Sequence, residues 1–127
     1  MEQKITPKEI ATSFLKQIIA GEISEAYKMY VHSDFRHHNP YFLGDAQSLA
    51  QGMEENEKLH PHKKLEIHHV IGDEDLVAVH SCLQFNVESP KIMVIHLFRI
   101  QDEKIIIELW DIAQVAPEES VNTNGLF

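Results

Sequence analysis

The segment from Lys91 to Gln114 constrains the fold more than any other part of the chain. It reads KIMVIHLFRIQDEKIIIELWDIAQ and predicts two long strands, residues 92–100 and 104–113, joined by a tight polar turn. Side chains alternate between the two faces of a strand, and here both faces are mostly apolar. We therefore expect both faces to be covered, by helices, a partner chain or a ligand.

Two ionisable residues interrupt the apolar pattern of one of these faces. Pairing Ile100 with Ile105 across the turn places His96 and Asp111 on the same face, among aliphatic and aromatic side chains. An ionisable group on a buried face is costly unless it is paired or neutralised. We therefore look for chemistry at this pair. The same alternation assigns five residues of the second strand to that face: Ile105, Ile107, Leu109, Asp111 and Ala113.

Length, charge and cysteine content limit the class of protein. The 127 residues fit one domain, and a formal charge of −9 with scattered lysines and arginines argues against a nucleic-acid or anionic-membrane surface. Cys82 is the single cysteine, so we expect no disulfide framework and favour a buried structural thiol. No segment approaches the roughly 18 apolar residues that span a bilayer, and the N-terminus has no apolar signal region. We expect a cytoplasmic protein.

The first half of the chain predicts three helices. The first begins at TPKE, residues 6–9, which combines a threonine cap, an early proline and a capping-box glutamate, and it ends at Gly21. The second covers about residues 24–30, and the third covers about 46–59 after an aspartate cap. Residues 31–44 have three histidines and no sustained period. We predict that this segment is a loop lying against the body of the protein.

From Lys64 onward the pattern predicts only strands. Residues 64–71 and 76–86 form a hairpin around the turn GDED, and the link VESP leads to the strands described above. Three helices followed by a four-strand meander predict an α+β fold, with the helices on one face of an antiparallel sheet. The tail, residues 117–127, is polar until Leu126 and Phe127. Its last part, residues 122–127, could cap a partner's pocket or hang free, and the apolar ending favours docking.

Several short motifs resemble one known family in their order and spacing. They are HHNP at residues 37–40 with Gly44 beyond, VAVHS at 77–81, LFRI at 97–100, ELWD at 108–111 and the ending at 122–127. Together they resemble the SnoaL-like polyketide cyclase relatives within the nuclear transport factor 2-like, or cystatin-like, superfamily. Members typically carry a histidine before the Trp-Asp pair and an acidic residue at the position of His96. This chain has Leu109 and His96 there.

The resemblance implies an architecture and a type of chemistry. The implied fold is a cone-shaped roll in which a curved antiparallel sheet wraps around the N-terminal helices, with a pocket between sheet and helices. Residues 1–127 would form this single domain, commonly as a homodimer through the outer face of the sheet. Such pockets usually need no cofactor. They carry out aldol cyclisation, isomerisation, dehydration or hydrolysis at a carbonyl or epoxide.

Asp111, His80 and His96 are the catalytic candidates. A carboxylate in apolar surroundings has a raised pKa, which suits a general base at neutral pH. The structural alternative is a strand-end aspartate bonded to backbone amides. A three-residue link between the second and third predicted strands would set His80 opposite His96, whereas a four-residue link would separate them by a face. The sequence leaves both registers open, and either histidine could be purely structural.

His38, Asn39, Tyr41 and Phe42 are the candidates for contacting substrate. The resemblance places His38 at the rim or floor of the pocket, where it and Asn39 could hydrogen-bond a carbonyl or its enolate. The alternative is that they staple the loop, with Asn39 bonding its own turn. Tyr41 and Phe42 could line the pocket or fill the core. We expect His37 to point away.

Nine histidines raise the question of a metal site. Zinc needs three or four converging ligands, and the histidines lack the helical HxxxH or paired CxxC spacing that favours convergence. We predict no metal and no cofactor. The favoured function is an enzyme that moves a proton next to a carbonyl of a small, apolar or carbonyl-containing ligand. The alternatives are a non-catalytic ligand-binding protein and a dimeric interaction module with a filled pocket.

Overall fold

The chain folds into helices packed on one face of a curved, open sheet, as seen in a computed structural model that describes residues 5–127. The predicted α+β class is confirmed. No helix among the described residues is long and apolar enough to cross a membrane. The elements in chain order are α1 (Pro7–Ile19), α2 (Ile23–Tyr30), β1 (Val31–His37), α3 (Ala46–Leu59), β2 (Lys64–Asp73), β3 (Leu76–Gln84), β4 (Ile92–Gln101) and β5 (Ile105–Val115).

The first and third helices begin where their capping residues indicate. The Thr6 hydroxyl accepts a hydrogen bond from the Glu9 amide at 3.2 Å, and Asp45 accepts one from the Ser48 amide at 3.0 Å. Both caps satisfy amides that a helix leaves unpaired at its first turn. Gly21 has a φ of 85°, which glycine adopts without strain, and it lets the chain turn from α1 into α2.

The sheet has five strands in the order β1-β5-β4-β3-β2, and β1 is one more than the sequence predicted. Strands β2 to β5 form the predicted antiparallel meander, whereas β1 runs parallel to β5 at the sheet edge. The prediction of a loop over residues 31–44 is therefore wrong for its first half. An edge strand has one neighbour only, so polar residues alternate with the buried Phe35 and His37, and this conceals the strand.

A β-bulge in β5 changes which side chains face the helices. Ile100 pairs with Ile106, while Arg99 pairs with Glu108, so Ile107 is an extra residue in β5. Ile106 consequently faces inward and is fully buried. The predicted pairing of Ile100 with Ile105, and the predicted inward assignment of Ile105 and Ile107, are wrong because a regular ladder was assumed.

A second bulge, in β2, brings the C-terminal tail onto the sheet. Ile67 pairs with Ser81 and His69 with His80, which makes His68 the extra residue. The Phe127 ring stacks on the His68 ring with centroids 4.6 Å apart. The tail therefore docks on the face of the sheet that points away from the helices, in its own chain.

The core lies between the helices and the inner face of the sheet. Phe14 of α1 makes edge-to-face contacts with Tyr27 of α2 at 5.5 Å and with Phe98 of β4 at 6.0 Å. These large rings fill the region where α1 and α2 cross the sheet. Towards the other end of the sheet the packing opens into a cavity.

Candidate active site

A cavity of about 530 Å³ lies between α1, α3 and the inner face of β2 to β5. Most of its wall is aliphatic, for example Leu15, Met53 and Val94. Cavities of this size and polarity are typical of small-molecule sites. Five polar side chains interrupt the wall: Asn39, Asn56, Lys63, His96 and Asp111.

His96 and Asp111 lie directly opposite each other on the inner face of β4 and β5. Their shared face agrees with the sequence prediction. Two one-residue shifts cancel here: Ile100 pairs with Ile106 instead of Ile105, and the extra residue Ile107 then moves the ladder by one more position. Neighbouring strands are about 4.8 Å apart, so two ionisable side chains meet at one place on the cavity wall.

Asp111 is oriented by a short hydrogen-bond chain from the segment that follows β1. The Tyr41 amide donates to Asn39 Oδ1 at 3.0 Å, and Asn39 Nδ2 donates to Asp111 Oδ2 at 2.9 Å. The backbone donor fixes which end of the amide faces Asp111. Among the described residues Oδ1 of Asp111 has no hydrogen-bond partner, so this oxygen remains available to a ligand.

The His96 imidazole is neutral in the folded protein. Burial lowers its pKa to about 4, although the Asp111 carboxylate acts in the opposite direction. Its Nδ1 is enclosed and has no hydrogen-bond partner among the described residues. The accessible part of the ring faces the cavity and does not include Nδ1.

Tyr27 adds a second neutral group near the carboxylate. Burial raises the pKa of its phenol, and the Asp111 charge raises it further. The phenol therefore keeps its proton at neutral pH. Tyr27 lies within the predicted second helix, but its place beside Asp111 could not be predicted from the sequence, because the proximity of a helix to a strand end is a tertiary property.

His80 is not part of this cluster. It pairs with Ile95, whereas Val79 pairs with His96, so the two histidines occupy opposite faces. Of the two registers that the sequence left open, the one that separates them is present. On the outer face His80 Nδ1 lies 3.0 Å from His69 Nδ1. The predicted partnership of His80 with His96 and Asp111 is therefore wrong.

His38 also lies outside the cavity. Its Nε2 is 2.7 Å from Glu108 Oε2, and its ring stacks on Trp110 with centroids 4.9 Å apart. The hydrogen bond from His38 holds the pKa of Glu108 below its usual range, and Arg36 and Arg99 contribute to the same effect. The expectation that His38 contacts substrate from the rim or floor is corrected, because alternation along the chain turns it outward.

Of the neighbouring residues in this segment, Asn39 and Tyr41 line the cavity, whereas His37 and Phe42 do not. His37, expected to point away, is buried on the inner side, and its Nε2 contacts the Leu43 carbonyl. Asn39 and Tyr41 line the cavity, and Tyr41 is largely exposed at its mouth. Phe42 does not line the cavity, because its ring packs against Gly52 of α3.

Lys63 is a polar residue of the cavity that was not predicted from the sequence, and Asn56 is another. Lys63 is 8 % exposed, lines the cavity and forms an ion pair with Glu57. A lysine is almost never this buried unless it is paired. The signal was available, because Lys63 is two residues before Leu65 and therefore shares its inward face.

Among residues 5–127, no three histidine, cysteine, aspartate or glutamate side chains form a group that could hold a metal ion. Asn39 with Asp111 and Lys63 with Glu57 instead form two separate pairs at the cavity.

One family of proteins matches the chain in sequence. The model of the SnoaL-like domain matches residues 12–107, which is well over half of the chain. Among curated proteins none matches.

Solved structures share the fold at low sequence identity. An NTF2-like protein of unknown function from Cytophaga hutchinsonii is 16% identical, with 90% of this chain and 95% of that chain covered and a TM-score of 0.72. A candidate SnoaL-like polyketide cyclase from Shewanella putrefaciens is 10% identical, with coverage of 84% and 79% and a TM-score of 0.71. IdmH, a candidate polyketide cyclase from Streptomyces antibioticus, is 17% identical, with coverage of 85% and 91% and a TM-score of 0.67. Such identities establish the fold alone.

Proposed function

The chain belongs to the SnoaL-like domain family, and on that premise we propose that it is an enzyme that performs cofactor-free acid–base chemistry next to a carbonyl. One observation carries the proposal. An oriented carboxylate, Asp111, and a neutral imidazole, His96, face each other at the wall of an apolar cavity. A base beside an uncharged donor in an apolar site is an arrangement suited to removal of an α-proton.

The first step is proton abstraction by Asp111. Its Oδ1 takes a proton from the carbon next to the substrate carbonyl, and the electrons of the broken C–H bond move onto the carbonyl oxygen. Asn39 holds Oδ2 and so fixes the direction of Oδ1. The products of the step are a neutral carboxylic acid and an enolate.

His96 stabilises the enolate oxygen. A neutral imidazole carries one N–H and one bare nitrogen, and an enclosed Nδ1 without a partner is better accommodated as the bare nitrogen. The proton then lies on Nε2 and can be donated into the cavity. One well-aimed donor of this kind changes a rate by about 10²–10³-fold.

The enolate has three productive fates in such a cavity. It can take a proton back at another carbon, which is isomerisation, or attack a second carbonyl, which is aldol cyclisation. It can also expel a β-hydroxyl group, which is dehydration. In each case the proton held by Asp111 returns to the product or leaves with water. The apolar wall protects the enolate from premature protonation by solvent.

Exchange of α-protons tests this function without knowledge of the natural substrate. The ketone 6-methoxy-2-acetonaphthone in D₂O should exchange its methyl protons faster with the protein than without it, as followed by proton NMR. Asp111→Asn should reduce the enzymatic rate by about 10²–10⁴-fold, the usual contribution of a positioned base. Asp34→Asn, at an exposed position, is the matched control and should exchange at the wild-type rate. Unchanged exchange in Asp111→Asn would exclude Asp111 as the base.

The alternative function is a ligand-binding protein without turnover. The apolar cavity supports it as well, since burial of apolar surface alone gives affinity. It requires that Asp111→Asn retain ketone affinity and that the wild type produce no exchange above buffer. The size of the cavity favours both functions over an interaction module with a filled pocket.

We also propose a homodimer through the outer face of the sheet. Ile95 and Ile112 form a cross-strand pair on that face and are 43% and 68% exposed. Adjacent exposed isoleucines on the outer face of a sheet favour an interface.

A further inference from the structure

The cavity has a second polar end, remote from Asp111. Lys63 and Asn56 lie where α3 leads into β2, whereas Asp111 and His96 lie on β5 and β4. Strands β5 and β2 are separated by β4 and β3 in the sheet. Three strand spacings correspond to about 14 Å along the sheet. The wall between the two ends is apolar, so a ligand that fills the cavity meets polar groups mainly at its two extremities.

Lys63 is held at this second end by the fold. Its side chain is 5% exposed, and its ammonium group donates to the Glu57 carboxylate. An ammonium group has three N–H donors, and Glu57 is its only hydrogen-bond partner among the described residues. Lys63 therefore retains the capacity to donate to a ligand atom inside the cavity.

The charges around the cavity determine what kind of atom that is. Glu57 balances the charge of Lys63, Asp111 carries a negative charge and His96 is neutral. No positive charge is left in excess, so an anionic group would be removed from water without compensation. A neutral oxygen acceptor needs no counter-charge and gains a charge-assisted hydrogen bond.

We infer that Lys63 determines substrate specificity, by donating a hydrogen bond to a neutral oxygen atom at the end of the substrate remote from the carbonyl beside Asp111. The inference rests on the proposed function for the identity of the near end only. The substrate class is an uncharged, largely apolar molecule with oxygen functions at both ends. A cavity of about 530 Å³ accommodates a molecule of two or three fused rings.

The test compares two ketones of the same shape. Affinities for 6-methoxy-2-acetonaphthone and for its oxygen-free isostere, 6-ethyl-2-acetonaphthone, are measured by fluorescence titration. The wild type should bind the methoxy compound about tenfold more tightly, the usual effect of a hydrogen bond from a charged donor. Lys63→Met should abolish this preference. Lys64→Met, at the exposed neighbouring position, should retain it.

Two further measurements keep the inference falsifiable. If loss of Lys63 leaves Glu57 unpaired and the variant does not fold, Lys63→Met combined with Glu57→Gln removes both charges and should still lose the preference. The inference is overturned if neither ketone binds, if the wild type shows no preference, or if the preference survives these changes. Tighter binding of 6-acetyl-2-naphthoate than of the methoxy ketone would also overturn it, by making this end an anion site.

The test of Lys63 and the test of the proposed function can fail independently of each other. If the wild type prefers the methoxy ketone but does not exchange α-protons, the enzyme proposal is contradicted and the role of Lys63 is unaffected. Exchange without preference contradicts only the inference about Lys63. Asp111→Asn should lose exchange and keep the preference.

Discussion

The buried imidazole of His96 makes the stability of the fold depend on pH. Burial lowers its pKa from 6.5 to about 4, so between these values the unfolded chain binds a proton that the folded chain does not. The unfolded state binds more protons in this window, and the free energy of unfolding therefore falls as the pH falls from about 6.5 to 4. The full contribution of this group is about 3 kcal/mol.

Urea unfolding between pH 7 and pH 4 measures this contribution. His96→Leu should lose less stability over the window than the wild type, by up to about 3 kcal/mol. His62→Leu, at an exposed position, should follow the wild-type profile. Parallel profiles for the wild type and His96→Leu would show that His96 takes up its proton at the same pH in the folded and unfolded protein.

Residue roles could be predicted from the sequence where they depend on alternation within one hairpin. Alternation from the turn predicts that His96 and Asp111 share a face, and they do so because the shifted pairing at the turn and the bulge at Ile107 cancel. His80 and His38 could not be placed in this way. The face of His80 relative to His96 depends on the link between strands, and the position of His38 depends on an edge strand whose partner is about 70 residues away.

At the scale of elements, α3 supports the segment that orients Asp111. A Cβ atom added at Gly52 would lie 2.4 Å from Cε1 of the Phe42 ring. The close approach locks Phe42 against α3, three residues after Asn39. Glycine within a helix is normally unfavourable by about 1 kcal/mol relative to alanine. Glycine at position 52 therefore lowers the stability of α3 but leaves room for the Phe42 ring.

We therefore predict that substitutions at Gly52 and Phe42 have coupled effects on the free energy of unfolding. In a Phe42→Ala background, Gly52→Ala should stabilise the protein by about 1 kcal/mol. In the wild-type background the same substitution should give no such gain, because the ring must be displaced. Denaturant unfolding of the four proteins in this double-mutant cycle measures the difference. Equal effects of Gly52→Ala in both backgrounds would contradict the contact.

Element boundaries were predictable where local chemistry determines them. The third helix was predicted at its observed bounds, because a cap and a proline beyond its end mark it in the sequence. Strand β1 was missed because its hydrogen bonds go to β5, far away in the chain, and its polar residues are tolerated at an edge. The two bulges were also missed, because an extra residue in a strand leaves the apolar pattern almost unchanged.

For the whole molecule, the outer sheet face leads to a prediction about assembly. If Ile95 and Ile112 lie at a dimer interface, Ile112→Asp places charges against each other across it and should produce monomers. Leu59→Asp introduces the same charge at an exposed position in α3 and should leave the dimer intact. Sedimentation velocity at micromolar concentration measures both. A monomeric wild type, or a dimeric Ile112→Asp variant, would contradict this interface.

The bulge at Ile107 has a consequence for how this binding site can change over evolutionary time. Bulged strands bend and twist more than regular ones, so the extra residue contributes to the curvature of the sheet around the cavity. Loss of that one codon would pair Ile106 with Ile100 and Glu108 with Arg99 in an unbroken ladder. Asp111 would stay opposite His96. A single in-frame deletion can therefore change the curvature of the sheet around the cavity while Asp111 and His96 stay on its inner face.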